Sequence, residues 1–405
     1  MSEIRPFCGL RPKDELAARI IAPPYDVLSE SEARQIAGPN EMSFLHVTRP
    51  EVDLPEGSDA HGAQAHAKAR ENLDAFESTG WMQQDETPCF YLYRQTWRGR
   101  TQTGLMAACS VQEYDDGLIK KHELTRPDKE QDRVDNMSAL DAQPGLVFLA
   151  YRDDSEAVRA AISRASAASP AWTVTTEDDV EHSLTVIDDA VTVEALVAAF
   201  AQVPALYVAD GHHRSAAASR VCAARQGAGT SGRFLAGLFP DSELEVLAYN
   251  RVVKDLNGRN PDAFLAAVSE HFEITQGVDP MPSERGRFTM YLAGRWIGLV
   301  PKEGVVPNDP VGCLDVAVLQ DRILGPLLGI ENPRTDTRIA FVGGIRGHKA
   351  LEGRVNRGEA EVAFHMYPTG MDQLFAVADA DMLMPPKSTW FEPKLRGGVV
   401  LHKIG

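Results

Sequence analysis

Segments in which apolar residues recur at helical spacing alternate along this chain with short apolar runs rich in β-forming residues. In Ala60–Thr79, alanines together with Leu73 and Phe76 recur at helical spacing, which is typical of an amphipathic helix. Cys89–Thr96 and Thr103–Val111 flank a glycine-containing turn and are predicted to pair as a hairpin. Such alternation of helices and strands is typical of mixed α/β proteins, and we predict an α/β (mixed α+β) fold.

The same patterns predict the remaining elements. Further predicted helices are Asp14–Ile21 (a short helix or turn), Ser155–Ala167, Val193–Ala201, a helix from Gly211 to about Gln226, Asp262–Phe272, Leu314–Leu328 and Asp372–Ala378. Further predicted strands are Leu146–Tyr151, Ala205–Ala209, Phe234–Phe239, Glu245–Val253, the hairpin Arg287–Leu292 with Arg295–Val300, Arg338–Val342 and Glu361–Tyr367. Because Pro and Gly are frequent between Gly277 and Gly286, we place a boundary there and predict domains 1–276 and 277–405.

The composition of the 405 residues, with 43% hydrophobic and 24% charged side chains, is that of an ordinary globular protein. Acidic residues number 58 and basic residues 41, so the formal net charge is −17. Proteins that bind nucleic acids use clustered Lys and Arg to displace phosphate counterions, and this charge balance disfavours that class. We therefore expect no nucleic-acid partner, whereas a local basic pocket for one nucleotide remains compatible with the charge.

Cysteine usage and hydropathy indicate the compartment. The five cysteines lie far apart and no pair has metal-ligand spacing, which predicts reduced thiols. No apolar run approaches the roughly 20 residues that span a bilayer, and Met1–Pro12 lacks the apolar core of a secretory signal. We expect a cytoplasmic protein with no membrane partner; the sequence indicates no oligomeric state.

The most informative motif is Asp210-Gly211-His212-His213-Arg214, which follows a predicted buried strand and opens a predicted helix. The N–H groups and the positive dipole end at a helix N-terminus favour an anion. Glycine permits close approach of the backbone, and the guanidinium of Arg214 presents a planar fork that suits phosphate oxygens. The motif predicts a phosphate site. In the alternative interpretation, Asp210 caps the helix and the polar side chains face solvent.

A second motif is the charged segment Lys120–Arg133. Thr125 is the predicted N-cap of a helix with Pro127 in its first turn, on which Lys129, Arg133 and Asn136 form one polar stripe beside the apolar Val134, Met137 and Leu140. His122-Glu123 begins like a zinc-protease helix, but Arg126 stands where that motif requires its second histidine, so the motif is excluded. The alternative is a solvated charged helix.

Two proline pairs mark rigid loops. Pro23-Pro24 precedes Tyr25, Asp26 and Glu30, and either carboxylate is a candidate general base or metal ligand; the alternative is a rigid surface turn. Near the C-terminus, Lys387 and Ser388 follow a similar proline pair, on a stiff loop that closes over a site or simply ends the chain. P-loop, kinase catalytic-loop and G-x-S-x-G signatures do not occur in the sequence.

Together these stretches resemble the prokaryotic family known as domain of unknown function 1015. The matching residues are Pro23-Pro24-Tyr25-Asp26-Val27, His46-Val47 with Pro50, His122-Glu123 with Asp132-Arg133, Asp210-Gly211-His212-His213-Arg214, and Met384-Pro385-Pro386-Lys387-Ser388-Thr389. They extend over nearly the whole chain in the expected order.

The Asp210–Arg214 turn is also similar to the phosphate-binding motif of the ParB/sulfiredoxin-like fold, in which a glycine and an arginine at a helix N-terminus hold nucleotide phosphates. This resemblance implies a nucleotide-binding core of that fold in residues 1–276 and an additional mixed α/β C-terminal part. The superfamily includes free-serine kinases, which phosphorylate L-serine with ADP or ATP, as well as sulfiredoxins and ParB proteins. Sulfiredoxin chemistry needs a cysteine at the turn, but the nearest thiol, that of Cys222, lies more than two helical turns away. A ParB role needs a basic DNA-binding surface, and the net charge of −17 argues against one.

The resulting hypothesis is a phosphotransferase that moves phosphate from ATP or ADP to the hydroxyl of free L-serine or a related hydroxy acid, with Mg²⁺ bridging the phosphates. Phosphate binding is assigned to Asp210, Gly211, His212, His213 and Arg214; proton acceptance to Asp26, Glu30 or Glu123; and acceptor binding or charge neutralisation to His122, Lys129, Asp132, Arg133 and Lys387. Two alternatives remain open: a nucleotide-binding regulatory module without catalysis, and a metal-dependent phosphoesterase that uses the paired histidines.

Overall fold

The structure is a computed structural model that describes residues 2–405. The chain forms two compact units. Unit 1 comprises Met1–Lys121, Thr125–Leu244 and Pro393–Gly405, and unit 2 comprises His122–Leu124 and Glu245–Glu392. The C-terminal segment therefore belongs to the same unit as the N-terminal half of the chain.

Unit 1 is organised around one large mixed sheet. In spatial order its strands are Ile119–Lys120, Leu206–Asp210, Val147–Tyr151, Arg233–Pro240, Arg100–Ser110, Phe90–Trp97, Glu181–Ile187 and Trp172–Thr175, and Ile4–Arg5 pairs with Arg100–Ser110. Leu206–Asp210 is parallel to Ile119–Lys120, and Arg233–Pro240 is parallel to Val147–Tyr151. The other neighbouring strands in this order are antiparallel. Two further pairs of short strands are Leu10–Pro12 with Met82–Gln84 and Ala142–Gln143 with His402–Lys403.

Helices cover the apolar strands of unit 1. The α-helices are Ala17–Ile20, Glu30–Ala37, Leu45–Thr48, Ala63–Ser78, Val111–Asp115, Pro127–Leu140, Glu156–Ala165, Ala190–Phe200 and His212–Ala224, and 3-10 turns lie at Asp14–Leu16, Tyr25–Val27, Pro50–Asp53 and Asp241–Glu243. All five residues of Val147–Tyr151 are buried, as expected of a strand covered on both faces. Leu149 and Val208 share one core cluster with Ala217 and Val221 of the helix His212–Ala224, so that helix is fixed directly against the sheet.

Unit 2 contains an antiparallel sheet with the spatial order Phe272–Gln276, Arg295–Pro301, Phe288–Leu292, Val362–His365, Tyr249–Val253 and Ile339–Gly343. Glu245–Leu247 pairs with Trp390–Glu392. The helices of unit 2 are Pro261–Val268, Asp315–Leu319, the π-helix Gln320–Leu324, the 3-10 turn Gly344–Arg346, Gly347–Asn356 and Met371–Asp379. Within residues 2–405, no helix combines the length and the apolar character that crossing a membrane requires.

The predicted mixed α/β class is confirmed, and so are most predicted elements. The hairpin of Phe90–Trp97 and Arg100–Ser110 turns through Arg98 and Gly99, whose φ angles of 50° and 77° suit a tight hairpin turn. The predicted helix 60–79 spans Ala63–Ser78, with Leu73 and Phe76 buried as its spacing indicates.

Three elements differ from their predictions. The predicted strand Glu245–Val253 is interrupted at Ala248, because its two halves pair with different partners. The predicted helix Asp262–Phe272 ends at Val268, and Phe272 instead begins a strand. The predicted helix Leu314–Leu328 is a short α-helix followed by a π-helix. The predicted domain boundary at 276/277 falls inside unit 2, whereas the chain changes unit at Leu244.

Candidate functional site

The Asp210–Arg214 motif forms the predicted turn from strand to helix. The strand Leu206–Asp210 ends at Gly211, which has a φ of 100° and serves as N-cap of the helix His212–Ala224. A Cβ atom on Gly211 would lie 3.4 Å from the Val147 Cα atom and 3.5 Å from Nη1 of Arg214. These are ordinary van der Waals distances, so glycine is favoured here by its backbone conformation, which residues with a Cβ rarely adopt. The positive end of the helix dipole is directed at this turn.

Arg214 is buried, with only 8% of its surface exposed. Its Nη1 donates to the carbonyl oxygen of Leu146, and its Nη2 donates to a carboxylate oxygen of Asp26 at 3.2 Å. The same Nη2 lies 3.8 Å from a carboxylate oxygen of Asp210. Burial alone would lower the pKa of Arg214, but Tyr25 and the two carboxylates raise it above its ordinary value. The guanidinium is therefore charged at every physiological pH.

Two guanidinium groups lie over the ring of Tyr25. Cζ of Arg133 is 4.2 Å from its ring centroid, and Cζ of Arg214 is 5.8 Å from it. The 3-10 turn Tyr25–Val27 follows the predicted proline pair, and Arg49 anchors it by donating to the carbonyl oxygens of Tyr25 at 2.9 Å and Leu28 at 2.7 Å. The loop thus has a fixed backbone, which holds the neighbouring Asp26 carboxylate beside Arg214.

Asp132 connects Arg133 to two histidines. One of its oxygens lies 2.8 Å from Nδ1 of His61 and 3.5 Å from Nε2 of His66, and the other pairs with Arg133. Burial alone would raise the pKa of Asp132, but His66, Arg133 and His61 outweigh it and hold the pKa well below its ordinary value. Asp132 is therefore a carboxylate that orients Arg133. The predicted stripe residue Lys129 is exposed, with Nζ 3.5 Å from Nε2 of His61.

These side chains form one continuous group, which we call the Arg214 cluster. Its members are Tyr25, Asp26, Asp132, Arg133, Asp210 and Arg214. Asp132 pairs with Arg133, and Asp26 and Asp210 lie beside Arg214, so each buried guanidinium has a carboxylate beside it. The Asp26 side chain remains 41% exposed and that of Asp210 38% exposed. An incoming ligand can therefore reach both carboxylates from solvent.

The two histidines of the motif have different surroundings. His212 is buried, and His213 is half-buried. Nε2 of His213 accepts a hydrogen bond from the backbone N–H of Arg126 at 3.0 Å, so its ring proton is on Nδ1. Successive helix positions point about 100° apart, so adjacent histidines rarely chelate one ion. The assignment of both to phosphate binding remains a prediction.

The remaining candidate residues are Glu30, His122, Glu123 and Lys387. Glu30 is on the helix Glu30–Ala37, and its carboxylate lies 2.8 Å from Nη2 of Arg34. His122 and Glu123 belong to unit 2, where the carbonyl oxygen of His122 accepts from the Met384 N–H at 2.8 Å. Lys387 also belongs to unit 2.

The position of Lys387 is fixed by its backbone conformation and by contacts with its neighbours in unit 2. Its φ is 59°, and its carbonyl oxygen accepts from Arg251 at 3.0 Å. Its ammonium group lies 5.5 Å from the Tyr249 ring centroid. The predicted stiff loop is therefore present, while the predicted role of Lys387 in acceptor binding remains a prediction.

The N-terminus of the helix Pro127–Leu140 differs in one detail from the prediction. Pro127 occupies the first turn as predicted, but Arg126 is the N-cap residue. The hydroxyl of Thr125 donates instead to Glu130 at 2.8 Å. Asn136, Met137 and Leu140 are buried, so this helix is docked rather than fully solvated.

Four contributors to the site were not predicted from the sequence: His61, His66, Arg49 and Lys394. Lys394 lies in the C-terminal segment of unit 1, with Nζ 3.9 Å from a carboxylate oxygen of Asp210. No local pattern marks these residues, since each reaches the cluster from a distant part of the chain. Arg49 is the exception in part, because it lies between two matched family positions, His46-Val47 and Pro50.

Comparison with solved structures finds distant likenesses only. A mutant free serine kinase in complex with AMP is 11% identical, with a TM-score of 0.36 over 71% of this chain and 87% of that chain. A C-terminally truncated SbnI from Staphylococcus aureus is 11% identical, with a TM-score of 0.38 over 72% of this chain and 84% of that chain. A conserved hypothetical protein from Pyrococcus furiosus is 11% identical, with a TM-score of 0.35 over 71% and 90% of the two chains. At these TM-scores the likenesses carry no conclusion about activity.

Comparison of sequences is more decisive. No curated protein matches the chain. The family model described as "Protein of unknown function (DUF1015)" matches residues 4–317, which is more than half of the chain and includes the Arg214 cluster. The chain is therefore a member of the DUF1015 family.

Proposed function

We propose that unit 1 is a phosphotransferase that moves a phosphoryl group from a nucleotide, ATP or ADP, to the hydroxyl of free L-serine or a related hydroxy acid. The observation that carries the proposal is the placement of Arg214. A buried, permanently charged guanidinium lies in the first turn of a helix and faces two carboxylates that solvent reaches. The choice of acceptor follows the resemblance of the Asp210–Arg214 turn to the free-serine kinases.

The donor phosphates would lie at the N-terminus of the helix His212–Ala224. Phosphoryl transfer depends mainly on positioning and on neutralisation of the charge on the phosphate oxygens. The helix dipole and Nη2 of Arg214 supply positive charge at this point. Nη1 of Arg214 is committed to the Leu146 carbonyl oxygen, which fixes the direction of the fork.

The carboxylate oxygens of Asp210 fit Mg²⁺, and the Asp26 carboxylate lies near them. This ion prefers hard oxygen ligands and is usually held by one or two carboxylates together with substrate phosphates. The two carboxylates lie within 3.2 and 3.8 Å of the same nitrogen of Arg214, so they face one place. When bound there, Mg²⁺ would neutralise phosphate charge.

Asp26 is the strongest of the candidate proton acceptors. It is next to Arg214 and is half exposed, whereas Glu30 is paired with Arg34 on its own helix. In the proposed step, the acceptor oxygen bonds to the terminal phosphorus and its proton passes to the Asp26 carboxylate. The bond to the bridging oxygen breaks, and the nucleotide leaves shortened by one phosphate. Arg133, stacked on Tyr25 and oriented by Asp132, would bind the acceptor carboxylate.

The test is direct detection of phosphoserine by mass spectrometry after incubation of the full chain with Mg²⁺, L-serine and either ATP or ADP. Arg214→Met is expected to abolish product and nucleotide binding, whereas Asp26→Asn is expected to abolish product and retain nucleotide binding. Arg220→Met is the matched control, because Arg220 is an exposed arginine on the same helix paired with Glu130.

Three outcomes decide among the alternatives. Full binding and turnover by the Arg214→Met variant would refute the site assignment. Nucleotide binding by the wild type without product from any hydroxy acid would favour a regulatory module. Stoichiometric zinc, manganese or iron in the purified protein, with hydrolysis of phosphate esters, would favour a phosphoesterase.

A further inference from the structure

Two glutamines occupy buried positions in neighbouring strands of unit 1. Gln95 has no exposed surface and Gln102 is 3% exposed. Nε2 of Gln102 donates to Oε1 of Gln95 at 2.7 Å, and Nε2 of Gln95 donates to the carbonyl oxygen of Lys394 at 2.9 Å. Burying an amide is costly unless it is hydrogen-bonded. These amides are therefore satisfied by holding the backbone of the C-terminal segment.

Arg396 holds the same segment at a second point. It is buried and pairs with Asp178, and its Nε lies 3.3 Å from Nε2 of His182. Burial and the neighbouring Arg396 lower the pKa of His182 to about 3, so the imidazole is neutral and accepts from the guanidinium. The backbone N–H of Arg396 also lies 3.4 Å from the hydroxyl of Tyr93. The backbone of Lys394 is thus fixed by the bond from Gln95 to its carbonyl oxygen and by the contacts of Arg396, two residues later.

The side chain of Lys394 is directed at the Arg214 cluster. Its Nζ lies 3.9 Å from Oδ2 of Asp210, and Nη2 of Arg214 lies 3.8 Å from the same oxygen. Two cations therefore converge on one carboxylate oxygen, and neither is within ordinary hydrogen-bond distance of it.

We propose that Lys394 is a second phosphate-binding cation, which the C-terminal segment supplies to the polyphosphate chain of a nucleoside di- or triphosphate. This inference rests on the proposed function and deepens it. Because Nη1 of Arg214 is committed to the Leu146 carbonyl oxygen, Arg214 offers only part of its fork to a ligand. A polyphosphate carries several negative charges, and Lys394 supplies the additional positive charge at the same carboxylate. The buried amides of Gln95 and Gln102 are positioning residues for it.

The test is isothermal titration calorimetry of the full chain with two probes, Mg²⁺-ATP and inorganic tripolyphosphate. Lys394→Met is expected to weaken binding of both probes by about 10- to 100-fold, which is the usual loss for one charge-assisted hydrogen bond. Lys394→Arg keeps the charge and is expected to restore most of the affinity. Lys403→Met is the matched control, since Lys403 lies in the same segment but pairs with Glu77.

The outcomes separate this inference from the proposed function. If Lys394→Met binds both probes like the wild type while Arg214→Met binds neither, the inference is overturned and the proposed function stands. If Lys394→Met loses tripolyphosphate while the wild type makes no phosphoserine, the inference is supported and the proposed function is overturned. If the wild type binds neither probe, both are overturned. Circular dichroism confirms that each variant is folded.

Discussion

The turn at Gly211 offers a sharp test of the site, because its backbone conformation restricts the residue type and its Cβ position adjoins Arg214. In Gly211→Ala the alanine backbone must adopt a φ of 100°, and its Cβ atom lies 3.4 Å from the Val147 Cα atom. Holding a non-glycine residue in a sparsely populated backbone region costs about 1–3 kcal/mol. The Cβ would also lie 3.5 Å from Nη1 of Arg214, in van der Waals contact with the guanidinium that the proposed function uses.

Gly227→Ala provides the control. Gly227 follows the other end of the same helix and also has a positive φ, 71°, but no atom lies within 4 Å of its added Cβ. We expect the control to lower the unfolding free energy by about 1–2 kcal/mol, the usual cost of a left-handed residue. We expect Gly211→Ala to lower it by at least as much. Only Gly211→Ala is expected to weaken tripolyphosphate binding.

Urea unfolding followed by circular dichroism measures the stability of both variants, and calorimetry measures their affinity. If Gly211→Ala unfolds at the urea concentration of the wild type, the strain argument is refuted. If Gly211→Ala loses stability but binds tripolyphosphate with unchanged affinity, the turn is structural and the phosphate site is elsewhere.

Two further predictions concern pH. Burial raises the pKa of Asp315 in unit 2 to about 6, although the backbone N–H of Gly286 donates to its carboxylate. The folded state therefore binds this proton more tightly than the unfolded state does. The unfolding free energy falls as pH rises from about 4 to 6, by up to about 3 kcal/mol. Asp315→Asn should remove that fall and stabilise the protein at pH 7, and an unchanged unfolding free energy at pH 7 would contradict this. Burial lowers the pKa of His402 in unit 1 to about 4, so the unfolded state binds the proton more tightly and stability falls as pH drops from about 6.5 to 4. His402→Gln should flatten the acid limb of a plot of melting temperature against pH, and an identical limb would show that His402 does not titrate on unfolding.

Much of the local structure follows from short-range patterns. The strand Leu206–Asp210 and the helix after Gly211 are predictable because an apolar run, a glycine and an alanine-rich segment follow one another directly. The hairpin around Arg98 and Gly99 is predictable for the same reason. The helix Glu30–Ala37 was missed, although Ser29 and Glu32 form a capping box that is visible as a serine followed three residues later by glutamate.

Short-range patterns mislead where pairing with a distant segment decides the secondary structure or the limits of a compact unit. Phe272 continues a helical spacing, yet it is buried in a strand that pairs with Arg295–Pro301. Frequent glycine and proline between Gly277 and Gly286 are typical of a domain boundary, but a compact unit is defined by contacts, and Pro393–Gly405 belongs to unit 1 although it lies at the far end of the chain. Neither effect can be read from neighbouring residues.

The candidate site divides in the same way. The residue types of the Asp210–Arg214 turn already indicate an anion site, and Asp26 in the loop after Pro23-Pro24 indicates a general base or a metal ligand, because glycine, arginine and carboxylates act through properties that each carries locally. The sequence by itself therefore determined the class, the main elements and the central residues of the candidate site. Only the tertiary structure decided that Asp26 contacts Arg214, that two guanidinium groups lie over the Tyr25 ring and that Lys394 approaches Asp210. The physical reason is that buried charges are stabilised by whichever opposite charges the packed core brings within a few ångströms, and that pairing depends on the whole fold.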